Sequence, residues 1–134
     1  MQIHDCVSFI LLKDQCVLLE QRSEIKRTDP GKVTIPGGHI EGKEQQEQAL
    51  LRELKEELDI EPSDYRFLCT LYHPSEELQR IHYYIITRWE GEMRVQEAQS
   101  VAWHHFDNAP VDLDADRVAL SELSRLSVTL GLSV

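Results

Sequence analysis

The sequence predicts an α/β fold in which helices flank a mixed sheet, and two observations carry that reading. β-rich runs recur along the chain, and two segments of helical periodicity interrupt and close them, one over roughly 44–58 and one after Pro110. Residues 3–12 and 16–20 are the first two strands, joined at Lys13-Asp14-Gln15 as a hairpin. Residues 23–32 are polar and carry Pro30-Gly31, so they read as a loop. A short apolar run at 33–35 then enters Pro36-Gly37-Gly38, a strand end leading through a glycine turn into the first helix. Strands follow near 67–72 and 81–89, with 73–77 looping between them, and a last strand lies near 101–106. In the closing helix Val118, Leu123, Leu126 and Leu130 keep approximate helical spacing, and Asp112 or Asp114 is placed to cap its start.

With 134 residues and no repeat, linker or low-complexity tract, the chain reads as one domain over 1–134. Its 24 acidic against 14 basic residues, a net charge of −10, argue against a nucleic-acid surface, which needs a basic footprint. Cys6, Cys16 and Cys69 are odd in number, irregularly spaced and set in apolar contexts, the pattern of buried reduced thiols rather than disulfides or a zinc site. His4 and Asp5 break the first apolar run before it resembles a signal peptide, and nothing approaches the length of a membrane span. The expectation is a cytoplasmic protein with neither nucleic-acid nor membrane partners.

The chemistry is concentrated in the first helix. Residues three and four apart share a helix face, so Glu53, Glu56 and Glu57 crowd one stripe, while Leu51, Leu54 and Leu58 lie further round. Like charges at this spacing destabilise a helix by a few tenths of a kcal/mol per pair unless something neutralises them, on the order of 0.2–0.5 kcal/mol. A hard divalent cation such as magnesium or manganese would do so, since both favour oxygen ligands. A bare acidic run is also an ordinary solvated face. The preceding Gly37-Gly38 shifts the balance, because glycines permit φ > 0 and close approach of backbone to a ligand.

The run Gly38-x5-Glu44-x7-Arg52-Glu53-Leu54-Lys55-Glu56-Glu57-x-Asp59-Ile60 resembles the Nudix box, which it fills over 38–60. Its one departure is Asp59, where that family usually has a glycine ending the helix in a left-handed conformation. Asp adopts that conformation more readily than most non-glycine residues, so the change is expected to alter the cap rather than the chemistry. Arg88-Trp89-Glu90-Gly91-Glu92, and Glu97 six residues before Trp103, are similar in order and spacing to small MutT-type members. The resemblance implies a Nudix-type α/β/α sandwich and metal-dependent hydrolysis of a pyrophosphate bond in a nucleoside diphosphate linked to another moiety X. The cofactor it implies is Mg²⁺, with Mn²⁺ as the variant, and the partner is a small nucleotide or nucleoside diphosphate derivative.

Carried over position by position, the resemblance makes Glu53, Glu56 and Glu57 metal ligands, joined by the Gly37 carbonyl. Arg52 orients the glutamate stripe, and Glu44 supports it from the other end of the helix. The proton from the attacking water goes to Glu53, Glu56 or Glu97, the last of these also being a further acidic ligand for the metal. Arg22 matches a position from which the family often reaches its ligand, and Lys26, Arg27 and Lys32 could add phosphate contacts, though each alone is more often a solvated charge. Tyr72, His73, Arg80, His82 and Tyr84 lie on segments suited to lining a base pocket, where strand alternation alone would turn some of them into a core.

MutT-type enzymes acting on oxidised guanine nucleotides use an asparagine near the start of the last helix, where this chain reads Asp112-Leu113-Asp114, so that specificity is not implied. His39 is read as passive, and His104-His105 cannot face one side of a strand, so they are not a metal pair. The expected function is a MutT-like (d)NTP pyrophosphohydrolase giving a nucleoside monophosphate and pyrophosphate. ADP-ribose and dinucleoside polyphosphates are alternative substrates, and a non-catalytic nucleotide-sensing module is the rival class. Monomer and homodimer are both open.

Overall fold

Residues 1–132 are described by a computed structural model. Their elements follow in the order β1 (Ile3–Lys13), β2 (Cys16–Gln21), β3 (Val33–Thr34), β4 (Gly37–His39), α1 (Gln46–Leu58), β5 (Glu61–Pro74), β6 (Leu78–Glu90), β7 (Ser100–His105) and α2 (Asp114–Leu126). β1 organises the sheet because its two edges serve different partners. One edge runs parallel to β6, from Ile3 opposite Leu78 to Leu11 opposite Ile86. The other is divided, with residues 6–8 pairing antiparallel to β4 and residues 12–13 to β2. The sheet continues from β2 to β3 and β7, and from β6 to β5, all antiparallel. One parallel pair among antiparallel ones makes it the mixed sheet expected.

Strand alternation sends the two faces of β1 to two cores. Val7, Phe9 and Leu11 join Ala49, Leu50, Leu54 and Leu58 of α1, together with Tyr84 and Ile86. Cys6, Ile10 and Leu12 join Ala115, Ala119, Leu120 and Leu123 of α2, together with Tyr83 and Ile85. The helices therefore cover opposite faces, the α/β/α arrangement. The β1–β2 hairpin turns through Asp14 and Gln15, both at positive φ (51° and 66°), as a two-residue connection matching strand twist requires. The three cysteines are free, with Cys6 buried and the other two half-buried.

Several elements depart from the sequence expectation. The glycine turn is a strand: Gly37 and Gly38 pair with Ser8 and Val7, and neither has positive φ. A side chain at Gly37 would strike the Val7 carbonyl and Ser8, and one at Gly38 the Glu53 carboxylate, so close packing rather than a left-handed turn demands glycine here. β5 begins at Glu61, earlier than the apolar run suggested, because it is an edge strand whose polar start still pairs with β6 through bulges that tolerate Pro62. It also extends through His73 and Pro74, leaving residues 75–77 as the turn.

The helices differ in detail too. α1 starts at Gln46, since the Glu44 carboxylate is engaged by the Glu41 N–H and by Arg52, while Gln45 N–H donates to Gln48 Oε1. Within it Leu51 is 45% exposed and Leu50 fully buried, so Leu50 rather than Leu51 joins Leu54 and Leu58 on the packed face. Neither Asp112 nor Asp114 caps α2: Asp112 Oδ2 accepts from Val33 N–H, Asp114 pairs with Arg117, and the cap position is Leu113. Val118 is 52% exposed, and Ala115, Ala119, Leu120 and Leu123 form the packed face instead. Asp59 ends α1 at φ 58°, ψ 39°, left-handed as expected, with its N–H on the Lys55 carbonyl and its carboxylate on Lys55 Nζ at 2.9 Å. No helix among the described residues is long and apolar enough to cross a membrane.

Candidate active site

Where β1 changes partner from β4 to β2, the C-terminal half of α1 lies against β4, and an open groove of about 320 Å³ forms beside it. Glu53, Glu56, Glu57 and Glu97 line it with Gly37, Gly38, Arg22, Lys26 and Arg27. The helix alone explains the first three: they project from successive turns of one face. Glu97 reaches them from the segment between β6 and β7. Hydrogen bonds from Gln96 N–H to the Glu57 carbonyl and from Arg94 N–H to the Leu58 carbonyl tether that segment to the end of α1.

Arg52 holds the arrangement together. Its Nε donates to Glu44 Oε2 at 2.7 Å, one terminal nitrogen reaches Glu53 Oε1 at 2.9 Å and Glu56 Oε2 at 3.1 Å, and the other reaches the His39 carbonyl at 2.9 Å. A planar guanidinium is suited to this because its donors lie in a fixed fork. The carboxylates it touches differ sharply. Glu44, with Arg52 and the Glu41 N–H as donors, is held down to about 2. Glu53 is pushed up, mainly by burial, despite the same arginine.

Glu57 is shifted further toward its neutral form. It is 6% exposed, and burial, the charge of Glu20 and the neighbouring Glu97 carboxyl raise it to about 9. Glu20 is itself buried on β2 and raised by burial, with the Arg22 guanidinium 3.4 Å away as partner. The groove thus concentrates buried carboxylates that lack sufficient positive charge. The Gly38 cradle, which a single Cβ would fill, keeps the Glu53 carboxylate against β4. A divalent cation fits this donor set, supplying the charge that the protein itself withholds.

The basic wall of the groove is less uniform than expected. Arg22 lines it but is committed, its guanidinium donating to the Thr28 carbonyl and Oγ1 as well as to Glu20. Lys26 Nζ lies 3.4 Å from Glu97 Oε2, and Arg27 is largely exposed. Lys32 is exposed and outside the groove, and Tyr84 packs in the α1-side core with its hydroxyl donating to Gln46 Oε1. His73 is buried against Asp29, while Arg80 and His82 both engage Asp5.

Beside the groove, and sharing Arg22, Thr28, Gly37 and Gly38 with it, is a small cavity of about 50 Å³ that sequence reasoning missed. Asp116, 1% exposed, forms part of its wall and accepts from Tyr83 hydroxyl at 2.7 Å and Ile35 N–H at 3.0 Å. Burial raises it to about 6 against the pull of those donors. Thr34 Oγ1 is buried in the same wall without a hydrogen-bond partner among the described residues. An available signal was the acid at 116 in line with Ala119, Leu120 and Leu123 on the apolar face of α2.

Comparison with known proteins agrees with this geometry. The model of the NUDIX domain matches residues 2–124. An 8-oxo-dGTP diphosphatase of Proteus vulgaris is 30% identical over 105 residues, covering 77% of this chain and 92% of that protein. A CTP pyrophosphohydrolase of Escherichia coli is 32% identical over 106 residues, covering 77% of this chain and 76% of that one. The crystal structure of a MutT NUDIX hydrolase from Burkholderia pseudomallei superposes with a TM-score of 0.82 at 27% identity, over 92% of this chain and 99% of that chain.

Proposed function

The chain belongs to the NUDIX family, as a small MutT-like hydrolase acting on acid anhydrides, and we propose that it is a Mg²⁺-dependent (d)NTP pyrophosphohydrolase releasing a nucleoside monophosphate and pyrophosphate. Hydrolases of this family are generally dependent on a divalent metal, and Mn²⁺ suits the same oxygen donors. The observation that carries the proposal is the convergence of Glu53, Glu56, Glu57 and Glu97 in one groove facing Arg22, Lys26 and Arg27.

Glu53, Glu56, Glu57 and the Gly37 carbonyl would hold the metal, with Glu97 as a further acidic ligand or as the base. Bound there, the cation offsets charge on the phosphate oxygens and lowers the pKa of water. Arg52 keeps Glu53 and Glu56 in position without contacting substrate, since its donors are all taken by protein acceptors. Lys26 and Arg27 face the polyphosphate and draw an anion into an acidic protein. Glu97 accepts a proton from the attacking water as its oxygen bonds to phosphorus and the bridging P–O bond breaks, the electron pair leaving with pyrophosphate. Lys26 keeps the Glu97 carboxylate turned into the groove.

The cavity beside the groove is where the moiety beyond the phosphates would be read. Thr34 Oγ1 is the group offered there, a buried hydroxyl without a partner among the described residues, while Asp116 holds that wall through Tyr83 and Ile35. The test is a panel of CTP, dCTP, 8-oxo-dGTP, ADP-ribose and a dinucleoside polyphosphate, with phosphate and pyrophosphate release measured in Mg²⁺ and in EDTA. Metal-dependent pyrophosphate release from a nucleoside triphosphate supports the proposal. Turnover confined to ADP-ribose or dinucleoside polyphosphates replaces it with that substrate class, and binding without turnover of any diphosphate returns the chain to a sensing module.

A further inference from the structure

Among the described residues, the one set of three His, Cys, Asp or Glu side chains whose donor atoms lie within 4.8 Å of one another is not on α1. It is His4, His39 and Glu77. They come from distant parts of the chain: His4 from the start of β1, His39 from the end of β4, and Glu77 from the turn between β5 and β6. The sheet brings them together, since β4 pairs with β1 on one edge and the start of β6 pairs with it on the other. Glu77 Oε2 is 3.0 Å from His4 Nδ1, and His39 Nε2 is 3.1 and 3.2 Å from the two Glu77 oxygens. The imidazoles meet edge to face with centroids 6.2 Å apart and planes at 86°, so both direct a ring nitrogen at one carboxylate without stacking.

Those separations are close to the spacing of neighbouring ligands around a tetrahedral ion, about 3.3 Å for bonds of about 2.0–2.1 Å. The donor set is also chemically different from that of the groove. Two imidazoles and one carboxylate suit Zn²⁺, Co²⁺ or Ni²⁺, whereas Mg²⁺ prefers oxygens alone. Glu77 is suited to the role, with a side chain only 12% exposed, and the Ser75 N–H that closes the turn bonds its backbone carbonyl and leaves the carboxylate oxygens to the two imidazoles and Arg27. The other charge facing it is Arg27, 3.7 Å from Glu77 Oε1 and 84% exposed, which is free to swing into solvent when a cation arrives.

We propose that His4, His39 and Glu77 form a second metal site, distinct in its donor atoms from the glutamate groove whose wall His39 also forms, that takes a borderline divalent transition metal as a clip across β1, β4 and the β5–β6 turn. The clip would also stiffen the backbone behind Arg52, because the His39 carbonyl is one of the acceptors that fix that guanidinium.

Co²⁺ added to the metal-free protein in excess Mg²⁺ reports this site by its visible absorption, with the magnesium occupying the oxygen donors of α1. The expected result is a band that saturates at one equivalent, is bleached by Zn²⁺, disappears in His4→Ala and in Glu77→Gln, and survives in the Glu53→Gln, Glu57→Gln double variant. Zn²⁺ should raise the thermal midpoint of the parent protein by several degrees, roughly the shift that 1–2 kcal/mol of ligand stabilisation produces, and leave His4→Ala unmoved. His4 sits half-exposed at the end of a strand, so its truncation leaves the fold intact, which the metal-free midpoint checks. If that variant nevertheless fails to fold, paramagnetic broadening of the His4 and His39 ring signals by Co²⁺ in the parent protein decides the matter. No saturable band, a band that outlives His4→Ala, ring signals that stay sharp, or a band lost with the α1 glutamates would each overturn the proposal.

Discussion

Both helices bury carboxylates against the sheet, and they do so on opposite terms. Asp116 on α2 is the more deeply buried, yet the Tyr83 hydroxyl and Ile35 N–H occupy its two oxygens, and it rises only to about 6. Glu57 on α1 is slightly more accessible but faces Glu20, Glu53 and Glu97, and rises to about 9. Burial depth therefore does not separate them; the sign of the neighbours does. One carboxylate is closed into the protein's own hydrogen bonds, and the other is left waiting for a cation.

The largest effect should come from removing that waiting charge. Glu57→Gln is expected to lower metal-dependent turnover by about 10²-fold or more, the scale of losing charge stabilisation worth several kcal/mol. The same substitution should stabilise the metal-free protein at pH 8, because an amide escapes the penalty of burying an ionisable carboxyl beside Glu20 and Glu97. Urea unfolding in EDTA reads the second part. A variant both inactive and less stable would show that Glu57 is a structural partner, and the contrast with Asp116 would collapse.

Asp116→Ala probes the other side. It leaves the Tyr83 hydroxyl and the Ile35 N–H buried without an acceptor, at about 1–3 kcal/mol each, so unfolding free energy should fall by about 3 kcal/mol at pH 7. A loss under 1 kcal/mol would mean that water replaces the carboxylate. The pH dependence separates the two regions further. Both groups have folded pKa values above their unfolded ones, so each gives stability that is complete below its unfolded pKa and lost as pH rises through its folded pKa. For Asp116 the window runs from its ordinary 3.8 to about 6. For Glu57 it runs from 4.5 to about 9. Saturating Mg²⁺ should remove the Glu57 part of the decline, from pH 4.5 upward, and leave the Asp116 part in place.

Glu97→Gln touches activity alone. Turnover should drop well over tenfold, within the usual reach of acid–base catalysis at about 10²–10⁴, while folding is unchanged because the side chain is half in solvent. Activity near that of the parent would place proton transfer on α1 and reduce Glu97 to a bystander at the groove's edge.

What could be seen beforehand divides along the same line. The α1 stripe is legible because three- and four-residue spacing is a property of the helix itself, and Arg52 is legible with it. Leu50 rather than Leu51 facing the core depends on how the helix is rotated against β1, which spacing does not specify. Gly38 was expected to supply a turn; its reason, the Glu53 carboxylate in the place of a Cβ, exists only once α1 has packed on β4. Asp116 stayed hidden because apolar periodicity was assigned through Val118, a residue that faces solvent. His4, His39 and Glu77 were beyond reach, since nothing local relates positions that only the pairing of three strands brings together.

Asp59 should show the smallest effect and tests whether the box's one departure matters to either region. Its left-handed backbone strains a residue with a Cβ by roughly 1–2 kcal/mol, less for Asp than for most, whereas glycine adds about 0.5–1 kcal/mol of conformational entropy to be lost on folding. The exposed Lys55 pair adds little in the native residue's favour. These nearly cancel, so Asp59→Gly should change stability by no more than about 0.5 kcal/mol. Asp59→Val, with a β-branched side chain forced to φ 58°, should cost about 1–2 kcal/mol. Neither should alter kcat, because the cap lies beyond the last groove-lining residue of α1, Glu57. If Asp59→Gly changed kcat while leaving stability alone, the cap would be transmitting into the glutamate stripe, and the helix could no longer be treated as a rigid ruler that spaces its carboxylates independently of its end.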